Sequence, residues 1–157
     1  MEKKKKVTKK VTKKTPKLVI GVQQLRESGI MPTKNHSSDA GFDIYASRKR
    51  VVSGQSKAKI HTDIALNIPK GYFCKVFDRS GVAVDTGLMV KAGVIDSDYT
   101  GEIGIIMCNT SLYPETILEG DRIAQFVVLP VPEVELKRVI NNKTTERGDK
   151  GFGSSGR

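Results

Sequence analysis

The sequence contains few of the features that mark secreted, membrane-spanning or zinc-binding proteins. Its two cysteines, Cys74 and Cys108, each lie in an apolar run, which indicates reduced core thiols rather than a disulfide framework. No stretch approaches about 18 uninterrupted apolar residues, and the amino terminus lacks the apolar segment of a secretory signal. The two histidines, His36 and His61, have no partner at metal-ligand spacing. We therefore expect an intracellular protein of the cytoplasm or nucleus, with no membrane partner and no zinc.

Acidic residues are nearly absent from the first part of the chain. Residues 1–17 hold nine lysines and one acid, whereas the remainder carries 18 basic and 16 acidic residues. The net charge of +10 therefore belongs mainly to this segment, and its repetitive, apolar-poor composition predicts a disordered tail. The lysine clusters fit a nuclear-import receptor or a nucleic acid as partner, and they fit a purely solubilising extension equally well.

Helical periodicity is also nearly absent, and short runs rich in Val, Ile, Phe and Tyr replace it in residues 18–140. The runs recur about every ten residues, which favours an all-β sandwich or barrel over alternating β and α units. A helix of one or two turns is predicted only in RSGVAVDTG, where we expect Ser80 to be the capping residue. The strands are predicted in LVIGVQ, GFDIYAS, KIHTDIALNIP, GYFCKVFD, GLMVKAGVID, GEIGIIMCN, RIAQFVVLPV and VELKRVI.

The apolar alternation ends before residues 141–157, which are rich in glycine. Glycine lets a backbone approach a ligand closely, and Arg147, Ser154 and Ser155 are of the types that contact phosphate. Phe152 offers a ring on which a base can stack. The segment is not a Walker A loop, since no Gly-Lys-Ser/Thr follows the glycines. It fits a nucleotide-binding arm and, taken alone, a disordered terminus.

Two acidic stretches carry candidate catalytic or metal-binding carboxylates. In GVIDSDYTGE, Asp96 follows three apolar residues, so we expect it to be partly buried and able to orient a water as general base. Asp98 and Glu102 in the same stretch are interpreted as turn or surface charges. In DAGFDIYA a turn explains Asp39, whereas Asp43 is the stronger candidate for assisting a magnesium ion, which prefers oxygen ligands.

Two further stretches carry candidate phosphate contacts. In FDRSGVAV, Arg79 and Ser80 precede Gly81 in apolar surroundings, where an arginine pairs with a carboxylate or awaits an anion such as phosphate. In EGDRIAQFVV, Gln125 is an amide inside a predicted strand, and exposure at a sheet edge is the alternative explanation for it.

Five of these stretches, taken in order, resemble the five ordered motifs of the trimeric dUTP diphosphatases (dUTPases). The resemblance covers residues 39–156 and rests on DAGFDIYA, DRSG, GVIDSDYTGE, GDRIAQ and RGDKGFGSSG. It implies a jelly-roll β fold, a homotrimer with sites at subunit interfaces, and Mg²⁺-dependent hydrolysis of dUTP to dUMP and pyrophosphate. Such an activity keeps uracil out of DNA and supplies dUMP for thymidylate synthesis.

The resemblance also implies roles for residues of the third motif. Asp96 matches the carboxylate that activates the water attacking the α-phosphorus, and Tyr99 matches the ring that packs under the deoxyribose and leaves no room for a 2′-hydroxyl. The backbone of residues 90–93 matches the edge that reads uracil, and Gly93 and Ile95 belong to the substrate-binding set.

Residues of the other motifs match contacts to the triphosphate, the metal and the base. Asp43 matches the acid held near the magnesium ion through water, and Phe152 the ring that covers uracil. The C-terminal arm, residues 141–157, is expected to close over the active site. The remaining predicted substrate-binding residues are Arg79, Ser80, Gly81, Gln125, Arg147, Gly153, Ser154 and Ser155.

Three residues depart from the family pattern. Two alternative functions are also compatible with the sequence. Asp78 stands where an apolar residue or proline is commoner, and we expect its carboxylate to compete for Arg79. Thr100 and Ser155 also differ from the usual residues. A dCTP deaminase of the same superfamily is the first alternative; it would need a glutamate base after a different third motif, whereas GVIDSDYTGE supplies Asp96 and Tyr99. A non-catalytic dUTPase-like binding module is the second.

Overall fold

A computed structural model of the chain describes residues 17–141 and 143–150. The predictions for the lysine tail up to residue 16, and those for Phe152, Gly153, Ser154 and Ser155, lie outside the described residues. Within the described residues, no helix is long and apolar enough to cross a membrane.

The described part of the chain is almost entirely β-structure, which confirms the predicted fold class. One short helix, α1 (Ser80–Asp85), interrupts the strands. All strand pairs are antiparallel. The strands are β1 (Gly21–Gln24), β2 (Phe42–Tyr45), β3 (Arg50–Val52), β4 (Lys57–Ile60), β5 (Ile64–Asn67), β6 (Tyr72–Phe77), β7 (Leu88–Lys91), β8 (Val94–Ile95), β9 (Ile105–Asn109), β10 (Glu115–Ile117) and β11 (Arg122–Pro130).

Two larger sheets supply most of the core. One has the strand order β2-β11-β6-β8 and the other β4-β9-β7, while β1 pairs with β5 and β3 with β10. In β9 the buried and half-buried positions alternate, as expected for a strand with one face on the core. Ile44 and Phe126 from the first sheet and Ile60 and Met107 from the second belong to one buried cluster.

Both cysteines are free thiols, as the sequence predicts. Cys74 is fully buried on β6, and this burial raises the pKa of its thiol to about 11. Cys108 is partly buried. Cys74 therefore behaves as a small apolar core residue rather than as a nucleophile.

Several predicted elements differ from the structure. KIHTDIALNIP is two strands, β4 and β5, because residues 61–63 turn the chain between sheets, and β3 and β10 were not predicted at all. VELKRVI is not a strand: residues 134–140 are exposed and pair with no strand within the described residues. Ser80 is the first residue of α1 rather than its cap, and the cap position is held by Arg79, without a side-chain hydrogen bond.

A buried carboxylate, Asp63, stabilises the turn between β4 and β5. It is 1% exposed, and its Oδ1 accepts hydrogen bonds from Arg26 Nη1 at 2.8 Å and Arg48 Nη2 at 2.7 Å. The Ser28 hydroxyl donates to Oδ2 at 2.6 Å. Burial alone would raise the pKa of Asp63, but the Ser28 hydrogen bond, the nearby Ser47 hydroxyl and the two guanidiniums hold it well below its usual range.

We expect Asp63→Asn to lower the free energy of unfolding by about 2 kcal/mol at neutral pH. This loss of stability is smaller than that caused by removing one partner of a fully buried ion pair, because the side chains of Arg26 and Arg48 are 65% and 46% exposed. Asparagine is the informative replacement, since Asp63 has a left-handed backbone with φ 52° that asparagine tolerates.

The loss should depend on pH. Because the folded-state pKa is depressed, the contribution of this carboxylate is present above its ordinary pKa of 3.8 and is lost as the pH falls through and below that value. Urea unfolding of both proteins at neutral pH and near pH 3 measures the effect. The difference between wild type and variant should shrink in acid, and an unchanged difference would contradict this account.

Candidate active site

Two of the predicted motifs meet on the four-stranded sheet because their strands are neighbours. Gln125 on β11 is the direct cross-strand partner of Asp43 on β2 and of Phe77 on β6. Directly opposed residues of antiparallel strands project to the same face, so these side chains form one row. The chain leaves β6 immediately after Phe77. Arg79, in the DRSG motif, therefore lies beside this row of side chains.

Asp43 binds two arginines at the end of this row. Arg79 Nε donates to Asp43 Oδ1 at 2.7 Å, and Arg122 Nη1 lies 3.4 Å from Asp43 Oδ2. The side chains of Arg79 and Asp43 are only 23% and 13% exposed. One carboxylate thus fixes two guanidiniums and leaves a net positive charge, which suits a phosphate. Arg122 was missed from the sequence, because a cation at the start of a strand is ordinarily a solvent-exposed residue.

A cavity of about 590 Å³ opens in front of these residues. Asp43, Arg79, Ser80 and Gln125 all line it, so the structure brings most of the predicted phosphate contacts together. Gly41 is part of the same wall, and a Cβ at this position would collide with the Gln125 side chain. A larger residue at this position would therefore force the Gln125 amide to move.

Asp78 does not compete for Arg79, contrary to expectation. Its Oδ1 accepts the backbone N–H of Val90 at 2.5 Å, and its backbone carbonyl accepts a hydrogen bond from Gln125 Nε2 at 2.9 Å. Because Arg79 is taken by Asp43 instead, Asp78 serves a different purpose. It joins the end of β6 to β7 and orients Gln125.

The predicted base-reading segment is a turn that passes from one sheet to the other. GLMVKAGVID is two strands, since β7 belongs to the three-stranded sheet and β8 to the four-stranded one. Ala92 and Gly93 join them with φ values of 62° and 100°. The Gly93 carbonyl accepts the N–H of Val76 at 2.8 Å, and the Ala92 carbonyl accepts from Lys75 Nζ at 3.0 Å. The backbone of this turn is thus already fixed within the chain.

A smaller cavity of about 170 Å³ lies against this turn. Gly93, Ile95 and Tyr99 line it, as predicted for a base and sugar pocket. The side chain of Ile95 is 8% exposed and belongs to the core, so only its backbone is available to a ligand. Tyr99 is 47% exposed and presents its ring at the cavity.

Asp96 is exposed, so the expectation that it is partly buried is wrong. Strand side chains alternate between faces: Ile95 points into the core, and the next residue therefore points outward. Asp96 lines an open cavity of about 1090 Å³ together with Lys70, Tyr72 and Glu133. Tyr99 N–H donates to the Asp96 carbonyl at 3.2 Å, so the two predicted third-motif residues share one turn.

One chain does not bring Asp96 and Arg79 together. Ile95 on β8 pairs with Cys74 on β6, which places Asp96 level with Phe73 near the beginning of β6. Arg79 follows the other end of β6, six residues further on, or about 20 Å at the rise of a strand. A general base must lie within hydrogen-bond reach of the attacking water. The two residues of one chain therefore cannot serve the same phosphate.

Within the described residues, one group of three potential metal ligands lies close together, namely His61, Asp63 and Glu102. Both oxygens of Asp63 are already bound to arginines or a serine, and a cation would be repelled by the guanidiniums, so this group does not fit a metal. Glu102 was interpreted as a surface charge, which is wrong: its side chain is 18% exposed and lies 3.0 Å from His61 Nδ1. No motif signals this pair in the sequence.

The described part of the C-terminal arm contributes nothing to either cavity. Arg147 Nε donates to the Lys150 carbonyl at 2.9 Å within its own turn, and Arg147 lines neither the phosphate cavity nor the base cavity. Its predicted contact with the γ-phosphate stays a prediction. The other predicted residues of the arm, from Phe152 onward, lie outside the described residues.

Comparison with known sequences gives a consistent result. A family model described as dUTPase matches residues 27–156. The chain is 39% identical over 140 residues to the deoxyuridine 5′-triphosphate nucleotidohydrolase of Yaba monkey tumor virus, covering 89% of this chain and 98% of the relative. It is 41% identical over 140 residues to the protein of the same name from Candida glabrata, covering 88% and 97%.

Solved structures with the same jelly-roll fold are similar along most of the chain. The dUTPase of Staphylococcus bacteriophage 80alpha, solved with dUpNHpp, superposes with a TM-score of 0.83 at 36% identity, covering 88% of this chain and 99% of the other. A variant of the dUTPase of phage phi11 of S. aureus, described with a structural Mg(II) ion, gives a TM-score of 0.74 at 34% identity, covering 78% and 97%.

Proposed function

This chain belongs to the dUTPase family, and from that membership we propose that it is a dUTP diphosphatase, which hydrolyses dUTP to dUMP and pyrophosphate. One observation carries the proposal. Asp43, Arg79 and Gln125, from three separate motifs, line a single cavity in which an ion pair fixes the arginine for an anion. A triphosphate needs such fixed cations before a nucleophile can approach it.

We propose that Asp96 is the general base. Its carboxylate takes a proton from a water whose oxygen attacks the α-phosphorus, and the bond from that phosphorus to the bridging oxygen breaks. Pyrophosphate leaves with the electron pair of that bond, and the fixed arginines stabilise its charge. The exposed position of Asp96 on an open cavity supports this role, because water reaches it directly.

Selectivity is assigned to the small cavity beside the turn from β7 to β8. We propose that exposed edges of the backbone of residues 90–93 read uracil and that the Tyr99 ring packs under the deoxyribose. The internal hydrogen bonds of Val90, Ala92 and Gly93 support this role, since they hold the reading edge rigid before substrate arrives. Cytosine presents the reversed pattern at N3 and C4 and leaves a buried mismatch.

Mg²⁺ is the proposed cofactor. It neutralises phosphate charge when bound. Asp43 fits an outer role, in contact with the ion through water, because Arg79 at 2.7 Å from Oδ1 and Arg122 at 3.4 Å from Oδ2 place positive charge beside both oxygens and disfavour a directly bound cation. The substrate phosphates are left as the direct ligands, in agreement with the preference of magnesium for oxygen and retained waters.

We propose a homotrimer in which each site is built from different chains. The separation of about 20 Å between Asp96 and Arg79 of one chain supports this, since a neighbouring chain can supply the missing half. A second support is the apolar surface of residues 134–140. Val134, Leu136 and Ile140 are 71%, 93% and 100% exposed, a pattern typical of a surface that is buried by another chain.

The decisive experiment measures pyrophosphate release from dUTP, dTTP, dCTP and UTP by the full-length protein. We expect dUTP to be strongly preferred and the reaction to require Mg²⁺. Release of ammonia from dCTP would instead identify a deaminase. Binding of dUTP without any turnover would identify a non-catalytic module.

For the lysine tail, residues 1–17, we propose binding to a nuclear-import receptor or to nucleic acid. Its nine lysines support either partner. We expect deletion of this segment to leave dUTP turnover unchanged. If the intact protein is retained on DNA in a salt-sensitive way, or accumulates in the nucleus, the deletion should abolish that property. If neither property differs between the two proteins, the tail is only a solubilising extension. A large fall in turnover would show that it belongs to the enzyme proper.

A further inference from the structure

The carboxylate of Glu102 anchors one end of the turn that carries Tyr99. Its Oε1 accepts the backbone N–H groups of Thr62 and Asp63, each at 3.2 Å, and His61 Nδ1 lies 3.0 Å from both of its oxygens. Burial would raise the pKa of Glu102, but the His61 and backbone hydrogen bonds outweigh it and lower the pKa. Glu102 is thus an ionised, largely enclosed clamp between the segment after β4 and the third motif.

The same residue also holds Tyr99 through its own backbone. The Tyr99 hydroxyl donates to the Glu102 carbonyl at 2.9 Å. A Cβ at Gly101 would lie 2.7 Å from the Tyr99 hydroxyl oxygen, so a larger residue at Gly101 would displace the ring from this position. Because Tyr99 is 47% exposed, core packing does not fix its ring. The position of the ring depends on a peptide that the Glu102 side chain holds in place.

We propose that Glu102 is a positioning residue that sets the sugar selectivity of the site by fixing Tyr99 where its ring excludes a ribose 2′-hydroxyl. This inference rests on the proposed function and deepens it. It assigns a role to a residue that borders the small cavity but whose carboxylate is bound to residues 61–63, outside the five motifs.

Selectivity is more sensitive to this clamp than turnover is. A 2′-hydroxyl adds a single oxygen, so the ring excludes it only if it stays within a fraction of an ångström of its place. dUTP lacks that oxygen and tolerates a small retreat of the ring. Loosening the clamp therefore changes the ratio of kcat/KM for dUTP to kcat/KM for UTP, whereas general destabilisation lowers both values together.

The test compares this ratio in wild type, Glu102→Ala, Glu102→Gln and the control Glu119→Ala, which removes an exposed carboxylate. We expect Glu102→Ala to lower the ratio by roughly tenfold or more. Glu102→Gln should stay within about threefold of wild type, because its amide oxygen still accepts the two backbone N–H groups. Glu119→Ala should match wild type.

Tyr99→Phe supplies an independent variant, since it removes only the tether to the Glu102 carbonyl at a half-exposed site. We expect it to lower the ratio, and the double variant with Glu102→Ala to lose less than the product of the two single effects. The inference is overturned if Glu102→Ala leaves the ratio of kcat/KM for dUTP to kcat/KM for UTP unchanged. If Glu102→Ala does not fold, an unchanged ratio in Tyr99→Phe overturns it. If the wild type does not hydrolyse dUTP at all, the proposed function fails instead.

Discussion

Asp96→Asn should abolish pyrophosphate release from dUTP while leaving nucleotide binding intact. The amide cannot accept a proton from the attacking water, and loss of a general base costs on the order of a thousandfold in turnover. The side chain is exposed and has the same shape as asparagine, so we expect no change in stability. Single-turnover pyrophosphate release, together with calorimetric titration of a non-hydrolysable dUTP analogue, measures the two properties separately.

Asp98→Asn is the matched control for this experiment. Asp98 lies two residues further on and lines the same open cavity, and it is exposed as well. A charge effect on the cavity as a whole would slow both variants alike. Normal turnover in Asp96→Asn, or an equal loss in both, would show that Asp96 is not the base.

Deletion of residues 147–157 should leave a folded oligomer with little activity. Described residues of this segment are exposed and are hydrogen-bonded within their own turn, as Arg147 is to Lys150, so their removal takes nothing from the core. Phe152, Ser154 and Ser155 are proposed to cover the base and the γ-phosphate. Without them the triphosphate stays open to bulk water, and we expect kcat/KM to fall by roughly a hundredfold or more.

Thermal unfolding and sedimentation of the truncated protein test whether the body is intact. The point variant Phe152→Ala separates stacking on the base from the remaining contacts of the arm, and it should show an intermediate loss. Full activity of the truncated protein would overturn the proposal that the arm closes over the substrate.

Although the three-residue strands β3 and β10 were missed, most of the strands and the short helix were predictable because alternation and turn residues are local properties of the sequence. The order β2-β11-β6-β8 was not, because strand pairing is decided by the packing of the whole chain. This is also why VELKRVI was wrongly predicted as a strand. Its composition suits a strand, but within its own described chain it has no neighbour to pair with.

In the candidate site, too, the residues could be predicted from the sequence but their contacts could not. Asp43, Arg79 and Gln125 could be selected from the sequence, since each is a polar residue in apolar surroundings. That Asp43 holds Arg79, and that Asp78 instead binds the backbone of Val90, depends on distances that no spacing encodes. Family membership is shown for the chain, whereas the individual roles of these residues stay predictions.

The length of strand β6 predicts how two inactive variants behave when they assemble together. It holds Asp96 level with one of its ends and Arg79 beyond the other, so in the proposed trimer each chain contributes these residues to two different sites. A chain with Asp96→Asn still supplies Arg79, and a chain with Arg79→Ala still supplies Asp96. We therefore expect two inactive proteins, mixed before assembly, to recover part of the activity, because one of the three sites in each mixed trimer receives both intact residues.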